Sequence, residues 1–139
     1  MIVDLEGSAN LTASYAISRA DLVLIPMRGK QLDVDQAGRV VALIEREGKA
    51  FRRQIPYRVI FSMTSVLQSR EQKHIRATLD EKKIPVLSAA LSDRAAFSAI
   101  FQIGGTVFDL TSDDVSNPKA AQDNASTVAA AVLETLKEE

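Results

Sequence analysis

Asp4 and Gly7 are the residues of this chain whose types and spacing best suit nucleotide chemistry. They belong to Ile2-Val3-Asp4-Leu5-Glu6-Gly7, an apolar run that passes into an acidic loop closed by glycine. An Asp at the carboxyl end of a buried parallel strand stands where α/β sheets hold their ligands. Its carboxylate can hold a magnesium ion, directly or through water. A glycine three residues on offers its amide to a terminal phosphate with no side chain in the way. The same Asp can equally end a strand by capping a turn, and Glu6 can equally be a solvated loop residue. One carboxylate without phosphates binds magnesium weakly. A site of this kind also needs a loop that cradles phosphates. No G-x-x-x-x-G-K-[ST] run occurs in the 139 residues.

Other chemistry is narrowed by what the chain contains. It has no cysteine and a single histidine, His74, so thiolate and clustered-histidine metal sites are excluded. With one histidine as the sole imidazole base, most Ser-His-Asp arrangements are excluded too. No catalytic residue is assigned. The net charge is −1, which gives no global field toward nucleic acid or membrane. A local exception lies at Arg70, Lys73 and Arg76, near one another on a helical face. Such a face can neutralise DNA phosphates without reading sequence. It can equally be a solvated helix surface balanced by Glu71, Asp80 and Glu81.

Length and composition describe the scaffold that must position these groups. The 139 residues suffice for one α/β domain with a substantial core, taken as 1–139. The apolar fraction of 46% and charged fraction of 25% are ordinary for a globular chain. No apolar run of about 18 residues is present, so no membrane helix is expected. Nor does the start carry the basic region and apolar run of a signal peptide.

Apolar runs and helical spacing alternate along the chain. Strands are expected at residues 2–5, 22–25, 57–62 and 84–87, the last at an edge because of Pro85. Pro26 closes the second of them. Helices are expected from Asn10 or Thr12 to about Ser18, and from Asp33 or Asp35 to about Gly48. Further helices follow at 70–83 behind Ser69, at 94–103 behind Asp93, and from Asn117-Pro118 to about Lys137. This alternation predicts βα units in a mostly parallel sheet covered on both faces. The segments 2–5, 22–25 and 59–61 should be parallel neighbours. A chain opening at a buried strand further suggests that an N-terminal βα unit is missing.

Four stretches taken together resemble the ParA/MinD group of P-loop ATPases, in its plasmid and chromosome partitioning branch. They are Ile2-Val3-Asp4-Leu5-Glu6-Gly7, Ala20-Asp21-Leu22-Val23-Leu24-Ile25-Pro26, Leu32-Asp33-Val34-Asp35 and Leu91-Ser92-Asp93-Arg94-Ala95-Ala96-Phe97. The second is the strongest, because the family commonly shows Ala-Asp-x-Val-x-Ile-Pro at this point. The order and approximate spacing match along nearly the whole chain. One departure is that the family's Asp-Thr-Pro after the acidic strand is Asp4-Leu5-Glu6 here. The other is the absent Walker A phosphate loop, so the resemblance is to the family's C-terminal portion.

The resemblance implies a three-layer Rossmann-like, P-loop NTPase-type fold, with ATP and magnesium as cofactors. It places Asp4 at the magnesium side, Gly7 at the switch position and Asp33 near the nucleotide and dimer face. Ser62 and Thr64 would stand where the family puts base-contacting polar residues, although they also read as a polar loop exit. The implied setting is the bacterial cytoplasm, with nonspecific DNA, a partition adaptor and a second copy or full-length ParA-like chain as partners. Lacking the phosphate loop, the chain is expected to bind ATP weakly or not at all and to be an inactive ATPase alone. The alternative is a non-enzymatic module that regulates a full-length ParA-like partner by mixed association. A homodimer with residues 2–5 near its contact is expected from the strand edge that a missing unit would leave open.

Overall fold

The computed structural model describes residues 1–5, 11–65 and 69–138. Its elements run α1 (Leu11–Arg19), β1 (Val23–Met27), α2 (Gln31–Phe51), β2 (Tyr57–Phe61), α3 (Arg70–Glu81), α4 (Ala95–Ile103), the 3₁₀ turn η1 (Val107–Asp109) and α5 (Pro118–Glu138). The chain is mixed α/β, built around a small parallel sheet. β1 and β2 pair in parallel from Val23 opposite Tyr57 to Met27 opposite Phe61. Along the far side of β2 runs the segment 84–93. It is joined by parallel bridges from Val59 to Val86 and from Thr64 to Ser92. Val59 N–H donates to Pro85 O at 2.8 Å, and Leu87 N–H donates to Val59 O at 2.8 Å.

Pro26 lies inside β1 rather than closing it. The ladder toward β2 runs through the odd-numbered residues, beginning with Val23 N–H to Pro56 O and ending with Ser62 N–H to Met27 O. A parallel strand alternates its bonding sides. The backbone groups of Leu24 and Pro26 therefore face away from β2, and the missing N–H of proline costs no ladder bond.

Residues 2–5 are not a strand. Met1 to Asp4 are exposed and irregular, and Leu5 alone packs on the core. The expectation of a third parallel neighbour is thus corrected. Apolar sequence favours a strand only when another strand takes up its backbone groups, and among the described residues β1 pairs with β2 alone.

The main core collects Ile25 and Met27 of β1, Val59 and Phe61 of β2, Val34, Ala37 and Ile44 of α2, and Ile75 and Leu79 of α3. In α2 the buried positions Val34, Ala37, Val41 and Ile44 recur at helical spacing. Fully burying each large apolar side chain contributes about 1.5–3 kcal/mol. A second, smaller core lies among Ala96 of α4, Val107 and Leu110 around η1, and Ala121 of α5.

Helix ends show where local signals act and where they yield. Ser69 caps α3, its Oγ accepting from Gln72 N–H at 3.1 Å. Asn117 caps α5, its Oδ1 accepting from Ala120 N–H at 3.2 Å. Asp33 does not open α2, which starts two residues earlier behind Lys30. Nor does Asp93 cap α4, where Arg94 holds the cap position without a side-chain bond. Thr12 lies within α1, and Asn10 falls outside the described residues. Gly48 does not stop α2 either. The helix continues to Phe51 and turns at Arg52, in left-handed geometry with φ 52°. A Cβ on Gly48 would stand 2.7 Å from Arg53 O, so the glycine admits the returning chain.

Candidate functional site

Three loops gather beyond the carboxyl ends of the parallel segments, the position where such sheets hold ligands. They are Arg28-Gly29-Lys30 after β1, Ser62-Met63-Thr64-Ser65 after β2, and Leu91-Ser92-Asp93-Arg94 before α4. Each is fixed by hydrogen bonds to a neighbour. In the first loop Arg28 N–H donates to Asp33 Oδ2 at 2.8 Å, which ties the turn to the start of α2. Gly29 takes φ 77°, a conformation that side chains resist, and its Cα side lies against the Phe61 ring.

The second loop passes from one neighbour to the other. Ser62 N–H donates to Met27 O at 2.8 Å on the β1 side. Thr64 N–H donates to Leu91 O at 3.2 Å on the opposite side, and Asp93 N–H returns a bond to Thr64 O at 2.8 Å. Between them Met63 takes φ 51°. That left-handed step costs a non-glycine residue roughly 1–2 kcal/mol. It is held because both flanking residues are bonded.

Asp33, Ser62 and Met63 share one groove with Leu5, Met27 and Arg28. The groove follows β1 and the facing side of α2, with a volume of about 1070 Å³ and a largely apolar floor that includes Ile25, Val40 and Leu43. Asp33 and Ser62 both line this groove. Thr64 is buried, its Oγ1 turned back to Leu91 O at 3.4 Å. Asp4 is exposed on the irregular first segment. Gly7 lies outside the described residues. Among the described residues no three acidic or imidazole groups gather as a metal cluster.

The basic residues of α3 divide. Arg70 and Lys73 are exposed. Arg76 is half-buried, its guanidinium 4.6 Å from the centre of the Phe61 ring. Its Nε is buried with no hydrogen-bond partner among the described residues, and the same holds for Arg94 Nε. The stack on Phe61 gives Arg76 a place in the core's upper edge as well as a charge. Lys30 of the first loop reaches Glu71 of α3 at 3.4 Å, a weak exposed pair.

Two groups without a local sequence signal tie elements together, Asn124 at the carboxyl-end loops and Glu47 between α1 and α2. Asn124 of α5 accepts from Ser92 N–H at 2.8 Å through Oδ1 and donates to Ala90 O at 2.9 Å through Nδ2. Glu47 of α2 is buried and accepts from Ser14 Oγ of α1 at 3.0 Å and from Arg46 at 2.9 Å. The Arg46 hydrogen bond holds the Glu47 carboxyl below the usual range, against the opposing effect of its burial. Arg53 adds bonds to Ser18 O and Ala20 O, so α1 and the residue after it are fastened to the carboxyl end of α2 and the turn that follows.

No protein-family model matches the chain. Over 139 aligned residues, 99% of the chain, the sequence is 42% identical to Protein ParA of Rhizobium radiobacter. The chain spans 62% of the length of that relative. No helix among the described residues is long and apolar enough to cross a membrane. The partition-type motifs and the parallel strand pair thus coincide with similarity to a ParA protein along nearly the whole chain, which supports a relation to ParA.

Proposed function

We propose that this chain serves DNA partitioning as one α/β domain of the ParA type. On this reading it is a partial P-loop NTPase-like unit, with a three-layer Rossmann-like arrangement, working in the cytoplasm. The observation that carries the reading is the 42% identity to Protein ParA over 99% of the chain. The carboxyl-end loops supply the ligand side of the fold. Asp33 and Ser62 line the groove there, and Thr64 shapes the loop from beneath. Asp4 and Gly7 would come to the phosphates from the first segment. When bound, ATP with magnesium would supply the phosphoryl chemistry of such a protein.

These 139 residues do not hydrolyse ATP by themselves on this reading. They contain no phosphate-cradling run with its lysine, and those contacts provide much of the binding and transition-state stabilisation. Partners are a second copy or a longer ParA-like chain, a partition adaptor, and nonspecific DNA at the α3 surface. A regulatory, non-enzymatic role is the second reading. It is favoured by the exposed Ile2 and Val3 on the segment leading to Leu5, which lines the groove. Calorimetric titration of the chain with ATP and magnesium tests the inactivity. No saturable heat is expected at tens of micromolar ATP. Micromolar binding that disappears in Asp4→Ala would overturn the reading.

A further inference from the structure

Among the described residues the groove along β1 is lined by three cations, Arg28, Arg39 and Arg46, and by one acidic side chain, Asp33. Asp33 is spent on its own loop, where it accepts from Arg28 N–H at 2.8 Å. Arg46 is partly spent, since it bonds Glu47 at 2.9 Å. No carboxylate among the described residues pairs with the side chains of Arg28 or Arg39. An apolar floor beside unpaired positive charge suits an occupant that is apolar on one side and acidic on the other. We propose that this groove docks a short extended peptide of alternating apolar and acidic residues, supplied by a partner protein and added as a strand on the free flank of β1.

The backbone of β1 favours a peptide over other anions. Among the described residues β1 pairs with β2 alone, and Leu24, 37% exposed, turns its N–H and C=O away from that pairing. Strand addition uses such backbone groups for affinity and side-chain pockets for selectivity. A nucleic acid has no ladder to offer there and would leave the apolar floor uncovered. A fatty acid covers the floor but carries one carboxylate, whereas the cations are spread out. Arg39 and Arg46 stand about 10 Å apart along α2, at about 1.5 Å per residue. Residues of an extended peptide advance about 3.3 Å each and alternate sides. Acidic residues about two to four apart therefore follow this row, while the residues between them meet Ile25, Val40 and Leu43.

The chain itself already seats one side chain of this setting. Leu5 lines the groove from outside α1, β1 and α2, and its sequence neighbours are Asp4 and Glu6. Met1 to Asp4 are exposed and add nothing to the lining. Pro26 keeps the added ladder short, because it has no N–H to give. Selectivity then rests on the arginines and the floor. The docking needs no nucleotide and does not depend on the partitioning reading.

Fluorescence anisotropy with a labelled hexapeptide, Glu-Val-Glu-Leu-Glu-Val, tests the groove, and Lys-Val-Lys-Leu-Lys-Val is the charge control. The proteins are wild type, Arg39→Glu, Leu24→Pro, which removes the N–H of the free flank, and Lys137→Glu, an equal charge change at an exposed position of α5. Circular dichroism verifies that each is folded. Arg39 is exposed, so its arm stands even if the proline variant does not fold. Wild type is expected to bind the acidic peptide saturably, with Kd of about 100 μM or tighter, and more weakly as salt rises. Arg39→Glu and Leu24→Pro should each weaken binding at least about fivefold, whereas Lys137→Glu follows wild type. No saturation at millimolar protein, equal binding of the lysine peptide, or wild-type affinity in folded Arg39→Glu or Leu24→Pro overturns the proposal. So does saturable binding of dodecanoate with none of the peptide, which would make the groove an amphiphile site. The ATP titration of the same chain reports on the partitioning reading separately.

Discussion

Asn124 lies 32 residues from Ser92 in sequence, yet its side chain completes the hydrogen bonding of the Ser92 amide at 2.8 Å. The same side chain donates to Ala90 O, so one amide group on α5 imitates a neighbouring strand for the segment leading to Asp93 and Arg94. Through this contact a helix of the smaller core fixes the geometry of a loop at the carboxyl end of the sheet.

Replacement of Asn124 by Ala should therefore destabilise the fold more than loss of a surface hydrogen bond does. Two part-buried backbone groups lose their partner at once, at about 1–3 kcal/mol for each group left unsatisfied. Asn124→Asp keeps an acceptor for Ser92 but loses the donor to Ala90, and should fall between Ala and wild type. Urea denaturation gives the ranking. An Asn124→Ala midpoint equal to that of wild type would show that water replaces the clamp at no cost.

The α3 cations should separate by role. Arg70→Ala/Lys73→Ala is expected to weaken binding to random-sequence duplex DNA and to lower the salt dependence by about two charges. Arg76→Ala should act mainly on stability, since the stack on Phe61 is worth about 0.5–2 kcal/mol. Fluorescence anisotropy across a salt series and thermal melting distinguish the two. If Arg76→Ala cut DNA affinity as deeply as the double variant while melting normally, the division would be wrong.

Acid should loosen the segment between α4 and α5. The Thr106 hydroxyl, and then its backbone N–H, hold the Asp109 carboxyl below its ordinary 3.8. The Thr111 backbone N–H, and then its hydroxyl, do the same for Asp114. A carboxyl depressed on folding binds fewer protons folded than unfolded. Its contribution is complete above the ordinary value and is lost as pH falls through the depressed one. The urea midpoint of wild type should drop between about pH 5 and about pH 3. Asp109→Asn/Asp114→Asn retains acceptors but does not titrate there, so its profile should be flatter. Parallel profiles would rule these two carboxylates out as the source.

Much of the architecture was legible because its signals are local. The runs Val23–Met27 and Tyr57–Phe61 are apolar and β-branched, and they formed the parallel pair. Ser69 and Pro118 marked their helix starts through capping chemistry that needs no distant partner. Residues 2–5 carry the same apolar signal and still form no strand, because a strand is a property of two chains of backbone and not one. Asp33 shows a similar limit at the site. Its acidic character was visible, but its bond to the Arg28 amide depends on how the loop folds back. The Asn124 clamp had no signal at all, since an asparagine inside a helix reads as surface until the fold brings the 90–92 segment to it.

Pro26 has a consequence for the addition of further strands to β1. Among the described residues β1 pairs on one flank only, and open flanks invite copy-on-copy addition of strands. Along that flank Leu24 offers a full donor–acceptor pair, while Pro26 offers a carbonyl and nothing to donate. A would-be strand thus finds its hydrogen-bond ladder broken within one residue of its best contact. Runaway addition is blunted at this edge by a single ring, at no cost to the pairing with β2.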